Sequence, residues 1–481
     1  MERGCGLLAH ITSLKDDFGY GCFSNEAISF VDFLKETGQK YWQLLPLSPV
    51  DMYGSPYSNS SLFAIEPSLI SLYEFFSKEE LEKRGLKKNL TLDEYKKIKL
   101  SILEELFELH KKTTSQNKFE KDNAFWLDDY ANYMTLEKVT GKSFSFFEKE
   151  YQDKNSKQTL KLLKENKKTV EFFKYIQFVA FSQWKSIKNY ANKNGISIIG
   201  DMPFYPASDS DIVWAKPELF QMEEGKPKFV SGVPGDYFNE DGQVWNTPVY
   251  NVDYIKNTNY EFMIARFSHA LSLFDYVRAD HFRGYESFFK IPAKKPLAKY
   301  GKWEKGLGIN LFKALKKQKL DRIVLEDLGV IDQKVVALKE KTGFAGMKVY
   351  QFAFDGNSKN PFLPASYEKN SVAYLGTHDN DTFCGFLSDA PKSTKEAILK
   401  NLNLYENASD KQICYSAIGA VLSSNALVTI LMPQDLLCQG KNYRINKPGT
   451  VKDNWKYQMP KKIYSKEIKD FLSFAIKHYN R

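Results

Sequence analysis

The stretch Tyr276-Val277-Arg278-Ala279-Asp280-His281-Phe282-Arg283-Gly284 begins as a β-rich apolar run and ends in a dense group of charged and titratable side chains. A parallel strand buried on both faces has this character: continuously apolar along its length, with polar groups only where it leaves the sheet. Seven further runs follow the same plan, at residues 5–14, 41–47, 196–204, 322–328, 347–353, 371–379 and 427–435. Amphipathic patterns between them predict helices at 25–37, 260–273, 310–318 and 333–341. Strand alternating with helix makes the chain an α/β protein with a parallel sheet, and eight such units predict a (β/α)8 TIM barrel with its chemistry at the carboxyl ends of the strands. A doubly wound open sheet is the alternative, but no GxGxxG turn follows the first run.

The spacing of the runs is uneven. The whole chain, 1–481, reads as one catalytic barrel with large helical and loop insertions. Residues 48–195, charged and helical in pattern, form an inserted, mainly helical subdomain between strands two and three. Residues 205–275, rich in Gly, Pro, Trp, Tyr and Asn, form a loop-like insertion that includes a lid at 232–246. Long loops inside compact domains are usually functional. The stretch after Lys461 is too short for a separate C-terminal β-domain, and no internal repeat is visible.

Composition excludes several function classes. With 43% hydrophobic residues among 481, the chain is not disordered. The net charge of +9 does not gather into an aromatic-interleaved basic patch. Lysines at 148–174 mix with glutamates at helical spacing, which is a solvated surface, so no nucleic-acid partner is expected. The apolar stretch 413–432 is broken by Ser416, Ser423, Ser424 and Asn425, so no membrane segment is expected, and the N-terminus lacks a cleavage signal. Cys5, Cys22, Cys384, Cys414 and Cys438 are scattered without a CxxC pair, which reads as neither a disulfide framework nor a zinc site. These features predict a cytoplasmic protein. The rings (28 Tyr, 36 Phe, 7 Trp) are mostly core, and a subset is suited to covering the apolar face of a sugar.

Three strand ends carry acidic clusters: Asp280 after strand four, Glu326-Asp327 after strand five, and His378-Asp379 after strand seven. Paired carboxylates suit glycosidic bond chemistry, one as nucleophile or base and the other as protonated acid. A metal hydrolase would need converging ligands, yet only His281 and His378 of six histidines lie in these clusters, without HxH or HExxH. No Gly-rich phosphate cradle is present. Arg278 and Asp280 share a strand face, where a guanidinium stabilises a neighbouring negative charge and so suits a nucleophile. Glu326 ends a buried strand, where desolvation favours the neutral acid.

Seven segments then carry a specific resemblance: GSPYS (54–58), GDMPFYPASDSDIVW (200–214), GVPGDYFNEDGQVWNTPVY (232–250), YVRADHFRGYE (276–286), VLEDLG (324–329), YLGTHDND (374–381) and PQDLLCQGKNYRINKPGT (433–450). In this order and over nearly the whole chain, the sequence resembles the 4-α-glucanotransferases (amylomaltase, disproportionating enzyme) of glycoside hydrolase family 77 in the α-amylase clan. The resemblance implies Asp280 as nucleophile, Glu326 as general acid/base and Asp379 as transition-state stabiliser. Arg278, His281 and His378 would stand beside them at the substrate. It further implies Asp209 as a sugar-contacting carboxylate, Tyr57 as a stacking ring, and Tyr53 at a remote glucan contact. Asp236, Phe238, Gln243 and Trp245 would contact substrate from the lid. The expected substrates are maltooligosaccharides, glucose and α-1,4-glucans derived from starch or glycogen, with no cofactor and no metal. The alternatives are an α-1,4-glucan hydrolase of the same clan, an inert glucan-binding protein and a metal-dependent hydrolase. Oligomeric state is not legible. Gly235 stands where the family commonly has a second proline, and RIN (444–446) and NWKYQM (454–459) depart from the usual RMN and NWxWR.

Overall fold

Eight short parallel strands close on one another in chain order in a computed structural model that describes residues 1–235 and 241–481. They are β1 (Gly4–Leu8), β2 (Tyr41–Gln43), β3 (Ser197–Met202), β4 (Tyr276–Ala279), β5 (Ile323–Leu325), β6 (Ala345–Val349), β7 (Ser371–Tyr374) and β8 (Val428–Leu431). β8 pairs with β1, so the sheet has no free edge. Nearly every strand residue is buried, as expected of strands covered by side chains inside and helices outside. Helices Asn25–Glu36, Glu261–Leu273, Gly308–Lys317 and Gln333–Thr342 match the predicted amphipathic segments to within a few residues.

The strands are shorter than the apolar runs that announce them. The run at 5–14 pairs only as Gly4–Leu8 before Ile11–Ser13 turns into a 3-10 helix, and the run at 347–353 gives way to a 3-10 helix at Tyr350–Ala353. Residues beyond the barrel rim have lost a flanking strand, so they turn while staying buried. Strands β4, β5 and β7 therefore stop just before Asp280, Glu326 and the His378-Asp379 turn.

Strand parity fixes what faces inward. A Cβ on Gly200 would lie 2.0 Å from the Phe274 ring, so Gly200 is the outward position at which that ring packs on β3. Ile199 and Asp201 then face the interior. Tyr374 Oη donates to Gln43 Oε1 at 2.9 Å, and because β7 and β2 are not neighbours, this bond crosses the barrel interior.

Between β2 and β3 lie the helices Lys78–Lys83, Leu92–Leu109, Thr114–Thr140, Lys157–Glu165 and Lys167–Lys193. Two capping boxes, at Ser77/Glu80 and Thr91/Glu94, set the starts of the first two. The β3–β4 and β4–β5 connections jointly build an antiparallel sheet in the order Lys302–Lys305, Ser287–Pro292, Phe229–Val233, Gln243–Pro248. Among the described residues, no helix is long and apolar enough to cross a membrane.

Three histidines with desolvated rings, two buried and His281 partly so, make the fold acid-sensitive. Burial lowers His269 and His281 to about 4 and His10 to about 3, from an ordinary 6.5. His269 sits among Phe63, Trp126 and Phe181, with Nε2 against the Phe63 carbonyl at 2.8 Å. On acidification the unfolded chain takes up these protons first. The stability they contribute is thus complete above about 6.5 and is lost as pH falls toward 4. Urea unfolding between pH 6.5 and 4.5 should show a His269→Gln variant losing stability less steeply than wild type, by about 1.4 kcal/mol per pH unit. Equal slopes would refute the assignment.

Candidate active site

Four strand ends converge on one guanidinium. Arg278, in β4, donates from Nη1 to Asp280 Oδ1 at 2.8 Å and to Asp201 Oδ2 and Oδ1 at 2.8 and 3.0 Å. Arg278 and Asp201 are almost wholly buried, whereas Asp280 keeps a quarter of its side chain open to the cleft. Tyr57 Oη donates to Asp201 Oδ2 at 2.8 Å. Burial raises Asp201 above the usual carboxylate range; Arg278 pulls against that shift and Asp280 adds to it.

Asp280 and Glu326 are placed side by side by the register of β4 against β5. Val277 pairs with Ile323, Arg278 with Val324 and Ala279 with Leu325, so the two carboxylates follow at the next step. Adjacent strands lie about 4.7–4.9 Å apart. His281 occupies the left-handed region at φ 47°, uncommon for a residue with a side chain. Its N–H donates to Glu326 Oε2 at 2.8 Å, and Leu328 N–H reaches Oε1 at 3.2 Å. Burial nevertheless pushes the Glu326 carboxyl well above its usual range; Arg278 opposes this, while Asp280 and Asp327 reinforce it.

Asp379, beyond β7, is treated the other way. Burial alone would raise it, but the charge and hydrogen bond of His378 (Nε2 to Oδ2 3.2 Å) and the Asn446 amide (2.6 Å to Oδ1) prevail, holding it well below the carboxylate range. Arg444 Nη2 donates to the Asp379 carbonyl at 2.5 Å. The His378 ring stacks on Tyr57 with centroids 5.1 Å apart and planes 10° from parallel, and Trp455 leans on both rings.

The hairpin formed by Phe229–Val233 and Gln243–Pro248 brings Trp245 edge-on to His281, centroids 4.9 Å apart, with Trp245 Nε1 donating to Gln243 Oε1 at 3.1 Å. Asp236 and Phe238 lie outside the described residues. Half-exposed Tyr53 lines a cavity of about 680 Å³ whose wall includes His10, Leu90, Trp455 and Tyr457. Asp209 stands apart from the guanidinium cluster, and its two oxygens accept from Ser143 Oγ (3.0 Å), Ser145 N–H (2.8 Å) and Ser145 Oγ (2.5 Å).

This geometry coincides with sequence and structural kinship. Residues 9–463 match the family model described as 4-alpha-glucanotransferase. The chain is 37% identical to the 4-alpha-glucanotransferase of Clostridium butyricum, covering 98% of this chain and 99% of that one. The corresponding figures for the Aquifex aeolicus 4-alpha-glucanotransferase are 35%, 100% and 99%. The structure of amylomaltase from Streptococcus agalactiae in complex with acarbose superposes with a TM-score of 0.94 at 32% identity over the whole of both chains. The chain belongs to the 4-alpha-glucanotransferase family. It is a glycosyltransferase acting on glucans, and the hydrolase alternative is not favoured.

Several groups at the centre of the glucanotransferase site carry little signal in the sequence. Asp201 ends a β-rich run just as Asp280 does, so the strand-end criterion applied to 196–204 points to it. Asn446 and Arg444 reach Asp379 from a loop more than sixty residues away; the family segment 433–450 includes them, but nothing local ties them to Asp379. Neutralising Asp201 leaves the buried Arg278 with one anionic hydrogen-bond partner, Asp280. Asp201→Asn should lower kcat/KM for glucose release from maltotriose by about 100-fold, the loss expected from an ångström-scale displacement of a reacting group. A loss below about threefold in a folded variant would show that Asp201 does not set the geometry.

Proposed function

We propose that the glucanotransferase works by double displacement with retention, Asp280 as nucleophile and Glu326 as general acid/base. The observation that carries this reading is the β4–β5 register, which sets Asp280 beside Glu326 at a strand spacing comparable to the about 5–5.5 Å between carboxyl groups of retaining enzymes. An Asp280 oxygen attacks the anomeric carbon of a donor α-1,4-glucan while the bond to the leaving 4-oxygen breaks and takes the Glu326 proton. The acceptor's 4-hydroxyl then gives its proton to Glu326 as its oxygen displaces Asp280, so two inversions restore the α-linkage. Arg278 pins one Asp280 oxygen, and the elevated Glu326 supplies the proton near neutrality.

Asp379, held anionic by His378 and Asn446, stabilises the positive charge that develops on the donor sugar. Tyr57 offers a stacking face, and Gln243, Trp245 and His281 line the acceptor side. Asp236 and Phe238 are assigned substrate contacts on the family resemblance. Asp209 and Tyr53 are assigned glucan contacts on the family resemblance. The donors and acceptors are maltooligosaccharides and glucose in the cytoplasm, and no step calls for a cofactor or metal.

Wild type on maltotriose should yield glucose and a ladder of longer oligosaccharides without net gain of reducing ends. A steady rise in reducing ends would sink transfer. Asp280→Asn and Glu326→Gln should each abolish the ladder. With α-maltotriosyl fluoride, whose leaving group needs no protonation, Glu326→Gln should still form the glycosyl-enzyme and accumulate it, whereas Asp280→Asn should not. Wild-type turnover in either variant overturns the roles. Activity should also fall on the alkaline side as Glu326 loses its proton.

A further inference from the structure

The fold gathers three cysteines that the sequence scatters. Cys384 stands in the helix Phe383–Asp389 that follows β7, Cys414 in the helix Asp410–Ser423, and Cys438 just beyond the helix Pro433–Leu436 that follows β8. Their Sγ atoms all lie within 4.8 Å of one another. All five cysteines of the chain are free thiols; Cys384 and Cys414 are buried, and Cys438 is partly exposed.

Three features of the surroundings are unlike ordinary apolar packing. Cys438 is held in the left-handed region at φ 50°, a strained conformation for a residue with a side chain, and such strain gathers where a side chain has a task. Asp435, one turn before it, has Oδ1 accepting from the Phe383 N–H at 2.8 Å while buried Oδ2 has no partner. Lys411 and Lys462 bring positive charge to the Cys438 side.

We propose that Cys384, Cys414 and Cys438 form a trithiolate site for a soft d10 cation, zinc or copper(I), which clamps the loops after β7 and β8. Zinc–sulfur bonds of about 2.3 Å in a tetrahedron put sulfurs about 3.8 Å apart, so the three sulfurs need to close by no more than about 1 Å. Zinc needs a fourth ligand, which solvent can supply on the partly exposed Cys438 side, whereas copper(I) needs only the sulfurs. Each thiol gives up its proton to solvent and donates a sulfur electron pair to the cation; nothing is oxidised or reduced. The loop from Asp379 to Asp381 runs directly into the Cys384 helix, and Arg444 and Asn446 follow Cys438. A cation here would therefore brace the support of Asp379 from behind without entering the cleft.

Reduced full-length protein is incubated anaerobically with zinc sulfate or a copper(I)–acetonitrile salt, desalted, and its metal counted by mass spectrometry. A single retained cation per chain is expected, with Cys438, the partly exposed thiol, becoming slow to react with an aromatic disulfide reagent. Retention should be lost in Cys384→Ser, Cys414→Ser and Cys438→Ser, and kept when Cys5 and Cys22 are both replaced by Ser. Retention of zinc, of copper(I) or of both supports the site, and the ion kept in direct competition is the one it takes. The thiol-protection arm uses wild type alone and so does not depend on a variant folding. No retained ion and no protected thiol overturns the proposal. So does retention that survives all three substitutions, or a native protein that counts three thiols because two cluster cysteines have joined in a disulfide.

Discussion

The Arg278 guanidinium, buried inside the barrel rim between two carboxylates, is the constraint on which the site depends. Taking an ion out of water costs several kcal/mol even after relaxation, and only close geometry with satisfied hydrogen bonds offsets it. That requirement ties β3 to β4, because Asp201 must face inward at the height of Arg278, and their pairing places these residues directly opposite. It also positions Asp280, one of whose oxygens lies 2.8 Å from the guanidinium. Through the Tyr57 hydroxyl on Asp201 it reaches a third element, and through the Tyr57–His378 stack it reaches the loop that carries Asp379. One cation thus coordinates chain segments more than three hundred residues apart.

Around that cation the same functional group is driven in opposite directions. Glu326 receives backbone N–H groups from His281 and Leu328, which favour its anion, yet burial and the nearby Asp280 prevail and its carboxyl is raised. Asp379 is buried too, but two side chains address it directly and it is lowered. Separated carboxyl affinities within one cleft are what divides acid from base. The left-handed turn at His281 belongs to the same arrangement. It aims a main-chain N–H at Glu326 and brings the ring against Trp245, so strain at a single residue serves both neighbours.

The barrel and its acidic strand ends were legible in the sequence because both signals are local. An apolar run followed by Asp280, Glu326 or His378-Asp379 can be read without knowing what packs against it. Strand ends were overrun because burial continues past the rim, as at Ile11 and Tyr350, where hydrogen bonding to neighbouring strands has stopped. Contacts made by closure of the barrel left no such trace. Gln43 meets Tyr374 only because β2 and β7 face each other across the interior, and Asn446 meets Asp379 only because the loop after β8 folds back. Asp201 lies between these cases: its position is local, but its meaning depends on Arg278 from the next strand. The cysteine cluster is the extreme, since no spacing in the chain connects Cys384, Cys414 and Cys438.

The four-stranded sheet outside the barrel links Trp245 to the chain segment that follows Asp280. Its strand Ser287–Pro292 begins within a few residues of Asp280, separated by the short helix Arg283–Glu286. Phe229–Val233 pairs with that strand, and Gln243–Pro248 pairs with Phe229–Val233 in turn. Trp245 is therefore positioned through two ladders of backbone hydrogen bonds that start a few residues after Asp280. The ladder is close-fitting: a Cβ on Gly232 would lie 2.2 Å from the Gln243 carbonyl oxygen, so the two strands approach as only glycine permits. In the proposed mechanism transfer rather than hydrolysis requires a sugar hydroxyl to reach the glycosyl-enzyme ahead of water, and an aromatic ring tied by backbone ladders to a strand that begins a few residues after Asp280 would favour it without a separate domain.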